Sequence, residues 1–352
     1  MHISVFIKKA FKKIFKLSFK FISTVFIYLY EFITSIFNKS IRVCFTNFWG
    51  GFLYSKYYNF FNDTIKDYFG IKSQNLNKHL KYRIVKYFYP NIHIFSVFGK
   101  KEKIIKSKSN VKIFYTGENV NAYRFTSYIG NCTDISNCSI GFEHLNNDNY
   151  IRLPNWIIDY FPYNSSKEYI QNILFNNKDK YIKNKFCSLI SRHDRSGLRT
   201  KMYNDISVIS NIDCPGDLLH NDDSLVNNFN NNKLNYLQEY KFNICPENSA
   251  SDGYVTEKII ESLLAGCIPI YNGYSKNPEP EIINPGVILW YDEIDIKNNE
   301  LTLKMIKELY ENKNYYQDFI NQPFFLDTAI DKIYSYLCNY KSIFHKMMSK
   351  FF

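Results

Sequence analysis

The stretch Tyr240–Gly273 constrains the fold of this chain more than any other part of the sequence. Lys241–Cys245 is a short apolar run of β type, and Thr256–Ala265 has apolar residues at helical spacing with a glycine directly after it. Ile268–Tyr271 returns to a strand pattern. A strand, a polar loop, a helix and a second strand in this order favour two parallel strands. The sequence therefore predicts an α/β unit built on a parallel sheet.

The first half of the chain shows the same alternation of short apolar runs and helical stretches. The runs that predict strands are Ile41–Phe45, Asn91–Phe98, Val111–Tyr115, Ser139–Phe142 and Tyr150–Pro154. A helical pattern covers Phe61–Tyr68. This half therefore predicts a second α/β layer, separate from the first.

Polar, irregular sequence spans Tyr163–Lys183 and indicates a domain boundary. We expect residues 1–39 to form a basic segment, 40–170 one domain and 171–345 another. Beyond the boundary, Phe186–Ser191 predicts a strand, and a helix that contains Arg199 is predicted to begin near Gly197. The Asn-rich stretch Asn221–Asn235 predicts a surface loop.

The N-terminus is strongly basic: residues 1–20 contain six lysines and no acidic residue, in a chain whose net charge is +11. At helical spacing these lysines lie on one side of a predicted helix over residues 7–37, opposite an apolar side. Such a helix suits the interface of a membrane. Phe21–Phe37 has one charge, Glu31, and is near the lower length limit for a membrane span. The third alternative is a helix packed on the protein's own core.

Neither nucleic acid nor zinc is favoured as a partner. The basic charge is concentrated at the N-terminus, and no nucleic-acid-binding motif follows it. None of the eight cysteines forms a C-x-x-C pair, which argues against a zinc site.

The loop before Thr256 is where a ligand is expected in such a unit. Helix N-terminal amides favour an anion such as phosphate, and Lys258 in the first turn adds a full positive charge. Arg199 is a candidate bidentate clamp on the same anion, while the carboxylate of Glu257 suits the hydroxyls of a sugar. The alternative is that Glu257 only stabilises the helix dipole and Lys258 is solvated.

Tyr240–Gly273 closely resembles the donor-site motif of glycosyltransferase family 10, the α-1,3/α-1,4-fucosyltransferases. Further stretches resemble family landmarks in the family's order over residues 41–340. They are N-F-W-G-G at Asn47–Gly51, F-S-V-F-G-K at Phe95–Lys100, I-F-Y-T-G-E-N at Ile113–Asn119, I-G-F-E-H-L at Ile140–Leu145 and R-L-P at Arg152–Pro154.

The resemblance implies a GT-B fold, in which two Rossmann-like domains face a cleft, here preceded by the amphipathic or apolar helix. It implies an inverting fucosyltransferase that moves L-fucose from GDP-fucose to a GlcNAc-containing oligosaccharide or glycoconjugate, with α-1,3 linkage expected. Another donor such as GDP-mannose, or a non-catalytic membrane-associated binding protein, is the alternative. Membrane association would be through a Golgi-type anchor in a eukaryote and peripheral on the cytoplasmic membrane in a bacterium.

Carried over by position, the resemblance implies a role for each matching residue. Arg199 and Lys258 would hold the diphosphate. Asn248, Tyr254 and Glu257 would contact the nucleotide or the fucose. Glu118, in a turn after a predicted strand, would be the general base for the acceptor hydroxyl.

Three further acidic or basic residues are candidates at the same site. Arg195 is an alternative phosphate clamp to Arg199, Glu143 is a second candidate base, and Glu247 adjoins Asn248 in the donor loop. No Asp-x-Asp sequence occurs in the chain, so we expect neither a metal nor another cofactor. Basic residues would take over the charge that a metal otherwise neutralises.

Overall fold

A computed structural model describes residues 22–33, 40–71, 81–86, 89–175 and 183–352 of the chain. Its strands lie in two sheets. The strands are β1 (Ser40–Thr46), β2 (Lys81–Ile84), β3 (Ile92–Phe95), β4 (Val111–Tyr115), β5 (Cys138–Gly141), β6 (Tyr150–Arg152), β7 (Lys185–Ser188), β8 (Ile212–Asp213), β9 (Tyr240–Ile244), β10 (Ile268–Tyr271) and β11 (Leu289–Trp290).

The first sheet has the strand order β2-β1-β3-β4-β5-β6. Pairing between β1 and β2, β1 and β3, and β3 and β4 is parallel, with Ile92 of β3 opposite Val43 on one side and Val111 on the other. These three side chains are fully buried. Central strands of a parallel sheet are covered on both faces, so their side chains are apolar on both sides. This explains why these strands appear as continuous apolar runs in the sequence.

The second sheet has the order β11-β10-β9-β7-β8, and all four pairings are parallel. Strand β9 pairs with β10 in the register Phe242 to Ile268, which confirms the parallel strands predicted from Tyr240–Gly273. The α/β fold class is thus confirmed for both sheets.

Helices and short 3₁₀ segments connect these strands. The helices are α1 (residues 22–33), α2 (Lys56–Tyr68), α3 (Glu102–Ile105), α4 (Asn155–Tyr160), α5 (Lys167–Phe175), α6 (Leu198–Ser207), α7 (Ser224–Asn227), α8 (Lys233–Leu237), α9 (Glu257–Leu264), α10 (Ile296–Glu311), α11 (Lys313–Ile320) and α12 (Ala329–Met348). The 3₁₀ segments are Phe52–Tyr54, Tyr123–Tyr128 and Pro285–Val287.

The described residues divide into two compact units. The first takes those within Met1–Tyr115 together with Ser127–Ser139 and Phe344–Phe352. The second takes Thr116–Thr126 and those within Ile140–Ile343. The turn that follows β4 is therefore part of the second unit.

The stretch Asn221–Asn235 lies mostly at the surface, as predicted, but the prediction of a loop is wrong in part, because α7 lies inside this stretch and α8 begins there. Asn232 is the N-cap of α8, and its side chain accepts a hydrogen bond from the backbone N–H of Asn235. Leu225 and Tyr236 are buried in one apolar cluster with Cys267. Asparagine is a good capping residue, so a high asparagine content does not exclude short helices.

Helix α1 lies within the segment predicted to associate with a membrane; the rest of that segment, residues 7–21 and 34–37, lies outside the described residues. Glu31, the one charge of Phe21–Phe37, is buried, and its Oε1 accepts a hydrogen bond from the backbone N–H of Lys86 at 2.8 Å. Large apolar side chains on other sides are exposed, Phe26 by 69%. Across the described ranges no helix combines the length and the apolar character needed to cross a bilayer.

Candidate active site

A cavity of about 340 Å³ in the second unit brings together five of the residues singled out in the sequence. They are Glu118, Arg195, Arg199, Asn248 and Tyr254. These residues come from three separate segments: the turn after β4, the loop before α6 with the first turn of that helix, and the loop between β9 and α9. Their convergence is a property of the fold that local sequence patterns do not contain.

Glu118 is held in a tight turn directly after β4. The hydroxyl of Thr116 accepts a hydrogen bond from the backbone N–H of Glu118 at 3.0 Å and donates one to its carbonyl oxygen at 2.8 Å. Burial raises the pKa of the Glu118 carboxyl; Lys258 and Arg124 oppose this effect, and Glu257 adds to it. A half-buried carboxylate with a raised pKa is a stronger proton acceptor than one in water.

Arg199 is the second residue of α6, and its side chain is only 7% exposed. Its Nη1 donates to the carbonyl oxygen of His193 at 2.8 Å, and its Nη2 donates to Oδ1 of Asn248 at 2.7 Å. A longer contact of 3.5 Å joins Nη2 to the carbonyl oxygen of Pro246. Arg199 therefore connects the loop before α6 to the loop after β9.

The loop after β9 also approaches Phe142 very closely. Gly253 has φ of +70°, and a Cβ atom there would lie 2.6 Å from the carbonyl oxygen of Phe142. The neighbouring Tyr254 is 3% exposed, and its ring packs edge-on against the ring of Phe142 with centroids 4.8 Å apart. Only glycine fits both the backbone conformation and the space. The loop is thus fixed where Tyr254 lines the cavity.

Glu247 lies outside the cavity lining and holds the start of α9. Its Oε1 accepts a hydrogen bond from the backbone N–H of Thr256 at 2.8 Å, and its Oε2 accepts one from the Thr256 hydroxyl at 2.6 Å. Tyr271 donates a longer hydrogen bond of 3.3 Å to Oε1. Glu247 is 5% exposed, and burial raises its pKa against the effects of Lys258 and Thr256.

Lys258 and Glu257 also lie outside the cavity lining, in contact with protein groups. Nζ of Lys258 donates to the Thr256 hydroxyl at 2.9 Å and lies 3.5 Å from Oε2 of Glu247 and 3.4 Å from Oε1 of Glu257. Burial works to lower the pKa of Lys258, but the two carboxylates outweigh it and raise the pKa.

The second carboxylate oxygen of Glu257, Oε2, contacts α4: it accepts a hydrogen bond from Nδ2 of Asn155 at 3.1 Å. Burial acts to raise the pKa of Glu257, but Lys258, Lys233 and the hydrogen bond from Asn155 together lower it to about 2. Glu257 is therefore ionised at neutral pH.

Glu143 fixes a neighbouring loop and does not line the cavity. Its Oε1 accepts a hydrogen bond from Nδ2 of Asn121 at 2.7 Å, and the same Nδ2 donates to the hydroxyl of Ser251 at 3.3 Å. Nδ2 of Asn119 donates to the hydroxyl of Ser249 at 2.9 Å. These contacts tie the turn that carries Glu118 to the loop after β9.

Asn119, Arg124 and His193 also line the cavity. Asn119 is the last residue of I-F-Y-T-G-E-N and His193 belongs to the charged run Arg192–Arg195, whereas Arg124 carries no local signal and was missed by sequence reasoning. As for metals, the described part of the chain contains no group of three or more metal-ligating side chains. Independence from a metal or cofactor stays a prediction.

Two family models match this chain. The model described as "Glycosyltransferase family 10 (fucosyltransferase) C-term" matches residues 176–334, and "Alpha-(1,3)-fucosyltransferase FucT N-terminal domain" matches residues 43–160. Together they extend over most of the globular part and confirm the predicted family resemblance.

Two relatives share part of the sequence. "Alpha-(1,3)-fucosyltransferase FucT" of Helicobacter pylori is 28% identical over 268 residues, which is 68% of this chain and 52% of the relative. "Alpha-(1,3)-fucosyltransferase B" of Drosophila melanogaster is 31% identical over 166 residues, 44% of this chain and 36% of the relative. The chain thus spans about half, or less, of the length of these relatives.

The fold is similar to that of a solved structure described as "Crystal Structure of alpha1,3-Fucosyltransferase with GDP-fucose". The TM-score is 0.53 at 22% sequence identity, with 86% of this chain and 90% of that chain covered. At this level of identity the similarity concerns the fold, and it confirms the predicted α/β fold of GT-B type.

Proposed function

Because this chain belongs to glycosyltransferase family 10, the fucosyltransferase family, we propose that it transfers L-fucose from GDP-fucose to a hydroxyl of a GlcNAc-containing glycan, with α-1,3 linkage. One observation carries the proposal: Glu118 lines the same cavity as Arg199, Asn248 and Tyr254. A carboxylate base and a cationic anion site are the two elements that this chemistry needs. The GDP-fucose named for the structural neighbour supports the choice of donor.

The reaction proposed is a single displacement with inversion at the anomeric carbon of fucose. The acceptor oxygen forms a bond to this carbon, and the bond between the carbon and the β-phosphate oxygen breaks, with its electron pair leaving on GDP. Glu118 takes the proton of the acceptor hydroxyl. Its raised pKa suits this role, because the carboxylate then holds the proton more firmly.

The cationic side of the cavity stabilises the leaving GDP. As the glycosidic bond breaks, negative charge grows on the β-phosphate, and guanidinium groups placed beforehand lower the energy of that state. Such a donor is commonly worth about 2–4 kcal/mol of transition-state stabilisation. Asn248 and Tyr254 line the cavity beside Arg199, which supports the proposal that they contact the nucleotide or the fucose.

The N-terminal segment is proposed to bind a membrane surface. Its support is the six lysines within residues 1–20 and the exposed apolar side chains of α1, such as Ile22 at 52% and Phe26 at 69%. Flotation of the full chain with vesicles containing phosphatidylserine tests this. Binding that weakens with salt and in Phe26→Ser supports the proposal, and absence from the vesicle fraction at low salt contradicts it.

The test of the reaction is the release of GDP by the full chain with GDP-fucose, GDP-mannose or UDP-galactose and an acceptor such as N-acetyllactosamine or chitobiose. Acceptor-stimulated release from GDP-fucose alone, retained in EDTA and lost in Glu118→Gln but not in Glu143→Gln, supports the proposal. Release only from GDP-mannose overturns the donor. Absence of GDP binding favours a non-catalytic protein.

A further inference from the structure

The turn that carries Glu118 leads into a 3₁₀ segment that begins with an exposed aromatic residue. Tyr123 is the first residue of this segment, lines the same cavity as Glu118 and is 97% exposed. Among the described residues, two further aromatic side chains line the cavity, Phe125 and Tyr254, but these residues are only 6% and 3% exposed. The ring of Tyr123 is therefore the aromatic surface that the cavity offers to a ligand.

Hydrogen bonds fix the backbone that precedes Tyr123. Oδ1 of Asn119 accepts a hydrogen bond from the backbone N–H of Asn121 at 2.9 Å, and the carbonyl oxygen of Asn119 accepts one from the backbone N–H of Ala122 at 3.1 Å. Nδ2 of Asn119 donates to the hydroxyl of Ser249 at 2.9 Å. Asn119 is 3% exposed, so this anchor is buried.

The backbone that follows Tyr123 is anchored as well. Phe125 is buried, and its backbone N–H donates to the carbonyl oxygen of Ala122 at 2.8 Å. The guanidinium of Arg124 lies over the Phe125 ring, 5.2 Å from its centroid. A tyrosine side chain has two rotatable bonds, so on a fixed backbone it loses little conformational freedom when a ligand binds.

Tyr123 belongs to the same short segment as the proposed base and follows Glu118 by five positions. The side chains proposed to contact the donor come from other elements: Arg199 from α6 and Asn248 from the loop after β9. The exposed ring therefore accompanies the group that takes the acceptor's proton.

We propose that Tyr123 binds the acceptor, with its ring stacked against the sugar that offers its hydroxyl to Glu118. The proposal rests on the proposed function and adds to it a residue that determines acceptor specificity. A pyranose ring presents C–H groups on its faces, and contact with an aromatic ring removes apolar area of both from water. Such a stack holds the sugar while its hydroxyls stay available for the reaction.

Steady-state rates of GDP release by the full chain, with GDP-fucose saturating and N-acetyllactosamine varied, test the proposal. In Tyr123→Ala we expect the KM for the acceptor to rise about tenfold with kcat little changed, because the stack is the same before and during the reaction. Tyr123→Phe keeps the ring and should keep the wild-type KM. The matched control is Tyr169→Ala, which removes a 41% exposed tyrosine of α5 that does not line the cavity.

Donor binding separates the acceptor from the nucleotide as the partner of Tyr123. GDP affinity measured by calorimetry should be the same in Tyr123→Ala and in the wild type. A loss of GDP affinity in this variant would place the ring at the nucleotide and overturn the proposal. A loss in Tyr123→Phe as large as in Tyr123→Ala would do so too, because the hydroxyl and not the ring would then make the contact.

The wild type distinguishes the failure of this proposal from that of the proposed function. If the wild type transfers fucose to N-acetyllactosamine and Tyr123→Ala has an unchanged acceptor KM, the assignment of Tyr123 alone is overturned. If the wild type transfers fucose to neither N-acetyllactosamine nor chitobiose, the proposed function fails, and the assignment of Tyr123 fails with it.

Discussion

The carboxylate of Glu247 receives two hydrogen bonds from Thr256, one from the backbone N–H at 2.8 Å and one from the hydroxyl at 2.6 Å. Thr256 is the N-cap of α9, but the side chain of Thr256 makes no capping hydrogen bond to the helix. The buried glutamate therefore fixes the end of the loop that carries Asn248 and Tyr254. Glu247 itself does not line the cavity.

Glu247→Ala is expected to destabilise the protein and weaken GDP binding together. The change removes the acceptor of two buried hydrogen-bond donors of Thr256. We expect this to lower the free energy of unfolding by about 2–4 kcal/mol. Melting temperature and GDP affinity of the purified full chain are the measurements.

Glu239→Gln is the control for Glu247→Ala, since Glu239 is a 43% exposed carboxylate 3.2 Å from Lys185. We expect a change within about 0.5 kcal/mol. A Glu247→Ala variant as stable as this control, with unaltered GDP affinity, would show that the loop does not depend on Glu247.

The acid limb of the activity profile should report Glu118. Its pKa is raised above the ordinary value by burial, so the loss of kcat/KM on acidification should begin at a higher pH than an exposed glutamate would give. Arg124 lowers this pKa. Arg124→Ala therefore raises it further, and the acid limb should move to higher pH.

The measurement is kcat/KM for GDP-fucose against pH in the wild type, Arg124→Ala and the exposed control Arg192→Ala. We expect the control to follow the wild type. An acid limb that moves to lower pH in Arg124→Ala, or that is retained in Glu118→Gln, would remove Glu118 from the role of base.

The parallel unit around Tyr240–Gly273 was predictable because its signals are local. Apolar runs at Tyr240–Ile244 and Ile268–Tyr271, helical spacing between them and a closing glycine each act within a few residues. Gly266 has φ of +72°, as a helix-ending glycine requires. The same holds for Val111–Tyr115, which the sequence bounded correctly.

The placement of charged side chains was not predictable in the same way. Lys258 contacts Glu247, eleven positions earlier in the chain, and Glu257 contacts Asn155, 102 positions earlier. Their predicted role at the ligand stays a prediction. Whether a charged side chain contacts a ligand or another protein group depends on tertiary contacts. Arg124 reaches the cavity in the same way, without any local pattern.

Gly253→Ala is expected to disrupt the loop through steric conflict as well as backbone strain. The new Cβ would lie 2.6 Å from the carbonyl oxygen of Phe142, at a φ of +70°. We expect a loss of about 3 kcal/mol in unfolding free energy and a marked loss of GDP affinity.

Gly70→Ala isolates the backbone contribution to the effect at Gly253. Gly70 has a similar φ of +65°, but no atom lies within 4 Å of its added Cβ. This control should lose only about 1 kcal/mol and keep its GDP affinity. Equal losses of stability in the two variants, with GDP binding intact in both, would mean that the contact with Phe142 is unimportant.

Glu257 should contribute to stability in a pH window set by its lowered pKa. Its pKa falls from an ordinary value of 4.5 to about 2 in the folded chain, since Lys258, Lys233 and Asn155 favour the ionised form against burial. The contribution is therefore present above pH 4.5 and is lost as the pH falls through 2. At pH 7, Glu257→Gln should be less stable than the wild type by about 2 kcal/mol.

Melting temperatures of the wild type and Glu257→Gln at several pH values from 7 down to 2.5 check this expectation. The gap between them should be widest at neutral pH and narrow steadily below pH 4.5. Glu300→Gln, at an exposed position on α10, should stay close to the wild type throughout. A gap between Glu257→Gln and the wild type that stays constant with pH would mean that Glu257 does not stabilise through its charge opposite Lys258.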